Sequence, residues 1–329
     1  MILAGDIGGT KTNLALFQIE DRRLSILKQR QFPSADYTSL MEVIEAFARE
    51  VSLSEVEAAC FGIAGPVIEG RCRTTNLAWE IRTDALQPYL ATQRVRLLND
   101  LESTAYGMLY LEDEAFVTLN AGKSTQANRA VIAAGTGLGE AILYYDPTTG
   151  FHPIASEGGH CDVAPLTEQH DQLLAWLRQR YPEHVSYERI LSGPGVYALY
   201  QFLAESGFAA EPEAMQQLSK GQDKSAMVSR CAIEANDPLC QEALRLFVEI
   251  YGAEAGNLAL KSMALGGLYI GGGIAPKILS VLQEGTFMRA FVAKGRFEEM
   301  LKAIEVKVSL NDETALLGAA YFARDKLLQ

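Results

Sequence analysis

The sequence is short of positive charge, of paired cysteines and of long apolar runs. With 29 Lys and Arg against 41 Asp and Glu, its 329 residues carry a net charge of -12. No basic stripe interrupts that excess, which argues against nucleic acid or an anionic membrane surface as a partner; any phosphate must be met by local groups. The five cysteines, Cys60, Cys72, Cys161, Cys231 and Cys240, are odd in number and scattered, with no C-x-x-C pair. A disulfide scaffold and structural zinc are therefore not expected, and reduced thiols suit a cytoplasmic location. Glycine breaks the most apolar stretches well short of a membrane span. Met1 runs straight into an apolar strand with Asp6 close behind, so neither a leader nor an N-terminal DNA-reading helix pair is expected. What is present is a 48% hydrophobic fraction, ample for a buried core in each of about two domains.

The opening stretch organises the chain. Ile2 to Ala4 and Leu14 to Phe17 flank Gly5-Asp6-Ile7-Gly8-Gly9-Thr10-Lys11, which reads as a β-hairpin with a Gly/Thr turn. Glycines let backbone N–H groups converge on an anion, Thr10 adds a hydroxyl, and Asp6 at its strand end can hold a hydrated metal ion. The design recurs where Ala130 to Ala134 leads into Gly135-Thr136-Gly137-Leu138-Gly139 and then Ala141 to Tyr145. Two such units point to an ancient duplication whose halves face each other, with a nucleotide between two phosphate loops. Neither loop fits a commoner template: the Walker pattern wants Gly where Thr10 stands, and the Rossmann pattern wants Gly where Glu140 stands. Each taken alone also reads as an ordinary hairpin turn.

Along the chain, Leu24 to Leu27 reads as a third strand, and Ser39-x-x-Glu42 as a capping box opening a helix with Leu40, Val43, Ile44, Phe47 and Val51 on one face. The strand Ala58 to Ile63 ends in Ala64-Gly65-Pro66, and strand ends of this kind are where ligands bind in open α/β sheets. A strand from Arg71 to Asn76 follows, then Val95 to Leu98, which stops at Asn99-Asp100 before a helix to Leu111. A strand-end carboxylate beside a carboxamide can accept a proton from a substrate hydroxyl, and the same pair makes a good helix cap.

Further on, Glu157-Gly158-Gly159-His160 reads as a loop, its glycines excluding a stable helical turn, able to present Glu157 and His160 to a small polar ligand. Helices are expected from about Glu168 to Tyr181, Val196 to Glu205 and Pro238 to Met263. Glu188 is a further carboxylate candidate or a solvated helix start, and residues 206–240 yield nothing functional. Leu268-Tyr269-Ile270-Gly271-Gly272-Gly273-Ile274-Ala275-Pro276 forms a strand, three glycines and a Pro-opened helix. That corner admits a base or ribose, or packs the strand against the helix. A strand from Glu305 to Leu310 and a helix from Glu313 to Lys326 close the chain, the helix with a smooth face of Ala315, Gly318, Ala319 and Ala320. The expected division is residues 1–110 with 312–329 as a small α/β domain, and residues 111–311 as a larger α+β domain.

Taken in order, Asp6-Ile7-Gly8-Gly9-Thr10, Asn99-Asp100, Gly135 to Gly139, Glu157 to His160, Leu191-Ser192-Gly193-Pro194-Gly195 and Gly271 to Ile274 resemble the bacterial ATP-dependent glucokinases. That family lies within the sugar-kinase, actin and heat-shock-ATPase superfamily. The resemblance implies a two-domain, ribonuclease-H-like duplicated α/β fold around a cleft, ATP with Mg²⁺, D-glucose as acceptor, and a homodimer. By the same resemblance, Asp100 matches the general base acting on the sugar 6-hydroxyl. Asn99, Glu157, His160 and Glu188 match sugar ligands, with Gly65 and Asn76 in the same pocket. Gly8, Gly9, Thr10, Thr136 and Gly137 match phosphate contacts, Gly272 and Gly273 the adenosine corner, and Asp6 the holder of hydrated Mg²⁺. Lys11, beside the first loop, stands where these glucokinases often carry Asn and is more typical of a neighbouring family of sugar kinases and repressors. That neighbour also carries a cysteine-rich zinc motif after its Gly-His, where this sequence has only Cys161. A kinase for another hexose or an N-acetylhexosamine, a sugar-sensing regulator and an ATP-driven scaffold are the alternatives. The intact Asp6, Asp100 and both loops oppose the sensor, and a base beside a polyhydroxyl pocket has no use in a scaffold.

Overall fold

The computed structural model describes residues 1–329 except Arg22, Thr75, Asn76, Ser124, Lys220 and Gln329. Asn76, assigned above to the sugar pocket, therefore lies outside the described residues. The strands are β1 (Ile2–Ile7), β2 (Lys11–Glu20), β3 (Arg23–Pro33), β4 (Ala58–Ile63), β5 (Val67–Ile68), β6 (Arg71–Arg73), β7 (Glu80–Arg82), β8 (Val95–Asn99), β9 (Phe116–Asn120), β10 (Arg129–Ala134), β11 (Leu138–Asp146), β12 (Gly150–Ser156), β13 (Leu268–Gly271) and β14 (Val306–Ser309). One sheet has the order β3-β2-β1-β4-β8, and a second the order β12-β11-β10-β13-β14-β9. The second repeats the first and adds an edge strand. In each, a central strand pairs parallel with the later strands, β1 with β4 and β4 with β8, β10 with β13 and β13 with β14. The duplication expected from the two glycine turns is thus matched by a duplicated strand order. Strands β5, β6 and β7 form a small antiparallel sheet.

By contact density the chain groups into two units. The first is Met1–Ala115, Ala141–Ala155 and Asn311–Gln329; the second is Phe116–Glu140 and Ser156–Leu310. In the first unit the middle strands of the sheet are buried on both faces, which is why β4 reads as an unbroken apolar run, AACFGI. On one side the helix Leu40–Ala48 lays Leu40, Val43, Ile44 and Phe47 against Leu3, Leu14, Phe61 and Ile63. Removing such side chains from water stabilises by roughly 1.5–3 kcal/mol each. Ser39 caps this helix through Glu42 N–H, but the Glu42 carboxylate bonds Thr38 N–H (2.7 Å) and Thr38 Oγ1 (2.6 Å), so the reciprocal bond expected of a capping box goes one residue further back.

On the other side the helix Thr314–Phe322 packs Leu316, Ala319 and Ala320 on Ile2, Ala4, Ala58 and Cys60. Its small face also meets the helix Asp100–Met108. A Cβ on Gly318 would fall 1.7 Å from Ser103 O, one on Gly107 would fall 2.1 Å from Thr314 O, and Ser103 Oγ donates to Ala315 O at 2.8 Å.

The second unit is built on the helix Pro238–Ser262, opened by Pro238 with Asp237 Oδ1 accepting from Cys240 N–H. Leu244, Phe247, Val248, Tyr251, Ala255 and Leu258 are buried as the periodicity predicts, and burial extends almost all round the helix. Tyr251 Oη accepts from Ala134 N–H and donates to Ile132 O, both at 3.2 Å, pinning β10 just before its glycine turn. Among the described residues no helix is long and apolar enough to cross a membrane.

Candidate active site

The first unit brings its expected residues to the ends of β1, β4 and β8. Between β1 and β2 the turn closes through Gly8 N–H to Lys11 O at 3.0 Å. Ser34, just past β3, holds the same turn: its hydroxyl donates to Gly8 O at 2.8 Å, its N–H donates to Thr10 O, and its Oγ lies 3.0 Å from the buried Thr12 Oγ1. These bonds fix the turn from the side of its carbonyl groups. Ser34 carries no local motif, because the return of β3 along β2 brings it there. Thr10 and Lys11 are exposed, and Asp6 is partly buried at the end of β1. Burial raises the Asp6 pKa, while a hydrogen bond from Asn13 and the charge of Lys11 pull the other way. A carboxyl so placed gains from a cation brought near it.

Asn99 ends β8 and caps the helix Asp100–Met108. Its Oδ1 accepts from Leu101 N–H at 2.9 Å, Glu102 Oε2 accepts from Asn99 N–H at 2.8 Å, and its Nδ2 donates to Gly65 O at 3.2 Å. The next residue, Asp100, is partly buried at the head of the helix and accepts Leu101 N–H on its Oδ1 at 2.9 Å. The two neighbours therefore share the Leu101 N–H at the head of the helix, Asn99 making the capping box and Asp100 placing its carboxylate beside it. Gly65 has a φ of 149°, and a Cβ there would sit 3.2 Å from Cys72 Sγ and 3.3 Å from Arg73 O.

In the second unit, residues far apart in sequence gather round the turn after β10. Gly135 N–H donates to Gly137 O and Gly193 N–H to Gly135 O, both at 2.8 Å, and Leu138 N–H donates to Glu188 Oε2 at 3.0 Å. Gly137 is needed for that approach, since a Cβ on it would fall 2.4 Å from Glu188 Oε2. Ser192 Oγ donates to Glu188 O and accepts from Gly195 N–H, capping the helix Gly193–Glu205. Glu157 and His160 are both exposed. The backbone between them makes one 3-10 turn, Gly158–His160, closed by His160 N–H to Glu157 O at 3.0 Å, where the glycines predicted an open loop. Cys161 O accepts from Tyr187 N–H, and Val163 N–H donates to Val185 O, which sets this turn beside Glu188.

Next to the turn after β10 lies a cavity of about 990 Å³, entirely within the second unit. Gly135 and Thr136 line it, as do Gly193, Pro194 and Tyr197 of one helix, Lys224 and Ser225 of the helix Lys224–Ile233, and Gly273, Ile274 and Lys277. The two glycines of the corner differ in their surroundings. Gly272, with φ 82°, packs so tightly that a Cβ would fall 2.3 Å from Ala134 O, whereas Gly273 has open space around it and lines the cavity. Lys224 Nζ stands 4.6 Å over the Tyr197 ring. Lys224, Ser225 and Tyr197 were not legible in the sequence: two belong to the stretch 206–240, which shows no motif, and the third sits on an ordinary amphipathic helix.

The arrangement is that of two Gly/Thr turns, a strand-end carboxylate, a polar turn and a ligand-sized cavity. A family profile described as Glucokinase matches residues 3–326. The glucokinase of Nostoc punctiforme is 40% identical over 337 residues, covering 98% of each chain. The solved glucokinase of an Antarctic psychrotroph superposes with a TM-score of 0.85 at 32% identity, covering 99% of both chains. A glucokinase of the ROK family from Streptomyces griseus, solved with glucose and AMPPNP, shares the fold at a TM-score of 0.65 and 20% identity, covering 98% of this chain and 99% of that one. On the match of profile, sequence and fold over nearly its full length, the chain belongs to the glucokinase family.

Proposed function

We propose that this hexose kinase transfers the γ-phosphoryl group of ATP to the 6-hydroxyl of D-glucose, with Asp100 as the general base, giving glucose 6-phosphate and ADP. The observation that carries the residue assignment is the place of Asp100 where β8 ends. Asn99 caps the helix and ties to Gly65, which sets the partly buried Asp100 carboxylate at the head of a helix packed closely on the helix Thr314–Phe322. Phosphoryl transfer asks mostly for positioning and charge neutralisation, with a group to accept the proton of the attacking hydroxyl. In this reading Asn99, Glu157, His160 and Glu188 bind sugar hydroxyls, and Gly65 and Asn76 are assigned to the same sugar. The turns at Gly8, Gly9, Thr10 and Lys11 and at Thr136 and Gly137 hold the phosphates, and Gly272 and Gly273 border the adenosine.

Among the described residues no group of three or more His, Cys, Asp or Glu side chains is gathered to hold a metal. Mg²⁺ bound mainly by water and phosphate oxygens needs no such cage. Asp6, whose charge burial disfavours, fits the one outer carboxylate such an ion takes. When bound, the ion would neutralise charge on the phosphates. We further assign the chain to the cytoplasm, as an entry step to glycolysis and as a homodimer. The five free thiols, four of them buried, accord with a reducing compartment; recovery of the native chain in an extracytoplasmic fraction would contradict that.

The test is ADP release from ATP, with and without Mg²⁺, against glucose, mannose, fructose, galactose and N-acetylglucosamine. Glucose should give the highest kcat/KM, and omitting Mg²⁺ should abolish turnover. Asp100→Asn should lower kcat by about 10²- to 10⁴-fold while glucose still binds. Wild-type turnover in that variant would remove Asp100 from the role.

A further inference from the structure

Beneath the turn Glu157–His160 lies a carboxyl group that the reaction described above does not use. Glu140, the third residue of β11, is 2% exposed, and its Oε1 has no hydrogen-bond partner. It touches the turn from below. A Cβ placed on Gly158 would fall 2.1 Å from Glu140 Oε2, and one on Gly159 would fall 2.1 Å from Leu138 O, two residues earlier on the same strand. Both glycines are thus required by the approach of the turn to β11, and Gly158 N–H is held by Ser156 Oγ at 2.9 Å.

The charged surroundings of Glu140 come from the helix Pro238–Ser262 and its neighbours. Glu254, wholly buried, repels it, and Lys261 attracts it weakly. Glu254 is itself occupied, accepting Asn257 Nδ2 at 2.8 Å and Lys261 Nζ at 3.3 Å and facing the Tyr187 hydroxyl; Lys294 also feels its charge while donating to Asn257 Oδ1. Tyr251, whose hydroxyl pins β10, feels the charge of Glu140 in turn. One buried acid therefore has its donors, while the other, under the turn, has an oxygen, Oε1, without one.

We propose that Glu140 is a positioning residue for the sugar turn, its carboxyl group supporting Gly158 from below beside the Leu138 carbonyl under Gly159, and so tuning affinity for the acceptor sugar. The inference rests on the assignment of Glu157 and His160 to that sugar. Burial and the charge of Glu254 push the Glu140 pKa up to about 7. Below that pH the group is neutral and packs under the turn; above it, an ionised carboxylate with an unpartnered oxygen favours lifting the turn to admit water. KM for glucose then rises with pH through neutrality, while kcat at saturating sugar moves little.

Two measurements on the full chain, wild type and Glu140→Gln, decide it. Between pH 6 and 8.5 the wild-type KM for glucose should rise on the order of threefold to tenfold more than that of the glutamine variant, since each pKa unit of coupling is tenfold in affinity. In sugar-free protein at pH 8, amide exchange over residues 158–161 should be slower in Glu140→Gln than in wild type. Identical pH profiles together with identical exchange would overturn the proposal. Slower exchange with an unchanged KM would uphold the positioning and instead refute the assignment of Glu157 and His160 to the sugar. If Glu140→Gln fails to fold, wild-type exchange still decides: protection over residues 158–161 that, corrected for the intrinsic rate, does not fall through neutral pH overturns the proposal.

Discussion

Glu140 also affects folding stability. Its folded pKa of about 7 stands above the ordinary value of 4.5, so the folded chain keeps a proton that the unfolded chain gives up. Stability is unaffected below about pH 4.5, falls as the pH rises through the interval to 7, and stays lower above it, by on the order of 3 kcal/mol. Glu140→Gln removes that titration. Urea unfolding at pH 5 and pH 8 should therefore show the variant gaining on wild type at the higher pH; a pH-independent difference between the two would contradict the assigned shift. In the sequence Glu140 is visible only as the residue that spoils a dinucleotide-binding pattern. Asp6, Asn99 and Asp100 could be picked out because each sits where a strand stops and a turn or helix begins, a boundary that local residue preferences mark. Glu140 acquires its meaning from a glycine some way down the chain and an acid on a distant helix, and Ser34 from the return of β3. No spacing encodes either.

At the scale of elements, glycines decide which turns tolerate change. Gly272 combines φ 82° with a carbonyl 2.3 Å from where a Cβ would stand, whereas Gly273 meets nothing within 4 Å. Gly272→Ala should cost roughly 1–3 kcal/mol and raise KM for ATP, while Gly273→Ala should stay within about 0.5 kcal/mol of wild type in urea unfolding. Equal losses from the two would refute the distinction between a packing glycine and a lining one. The strands flanking both glycine turns, the helix Pro238–Ser262 and its buried face, and the smooth face of the last helix were all readable from periodicity and residue size. Boundaries were less so. Glycine run and loop look alike in sequence, so the 3-10 turn at Gly158–His160 was missed, and the last helix stops at Phe322 with a π turn, Ala323–Leu327, after it. Strand β12, with mixed polarity and Pro153 inside it, gave no alternating signal.

For the whole molecule, the repeated strand order goes with the two repeated turns: each turn leads from a core strand, β1 or β10, into its neighbour on one side, and a later strand, β4 or β13, pairs parallel on the other. The proposed homodimer is tested by sedimentation velocity at micromolar concentrations. A dimer is expected, and a monomer at every concentration would remove it.

The first unit is discontinuous in a way that bears on synthesis. One face of its sheet, Ile2, Ala4, Ala58 and Cys60, is covered by Leu316, Ala319 and Ala320, which lie near the other end of the chain. On the ribosome the strands made first must wait, apolar side outward, until the chain has been translated past Ala320. A chain stalled before Asn311 would leave that face bare. The interval between first strand and last helix is when this protein would depend most on a chaperone.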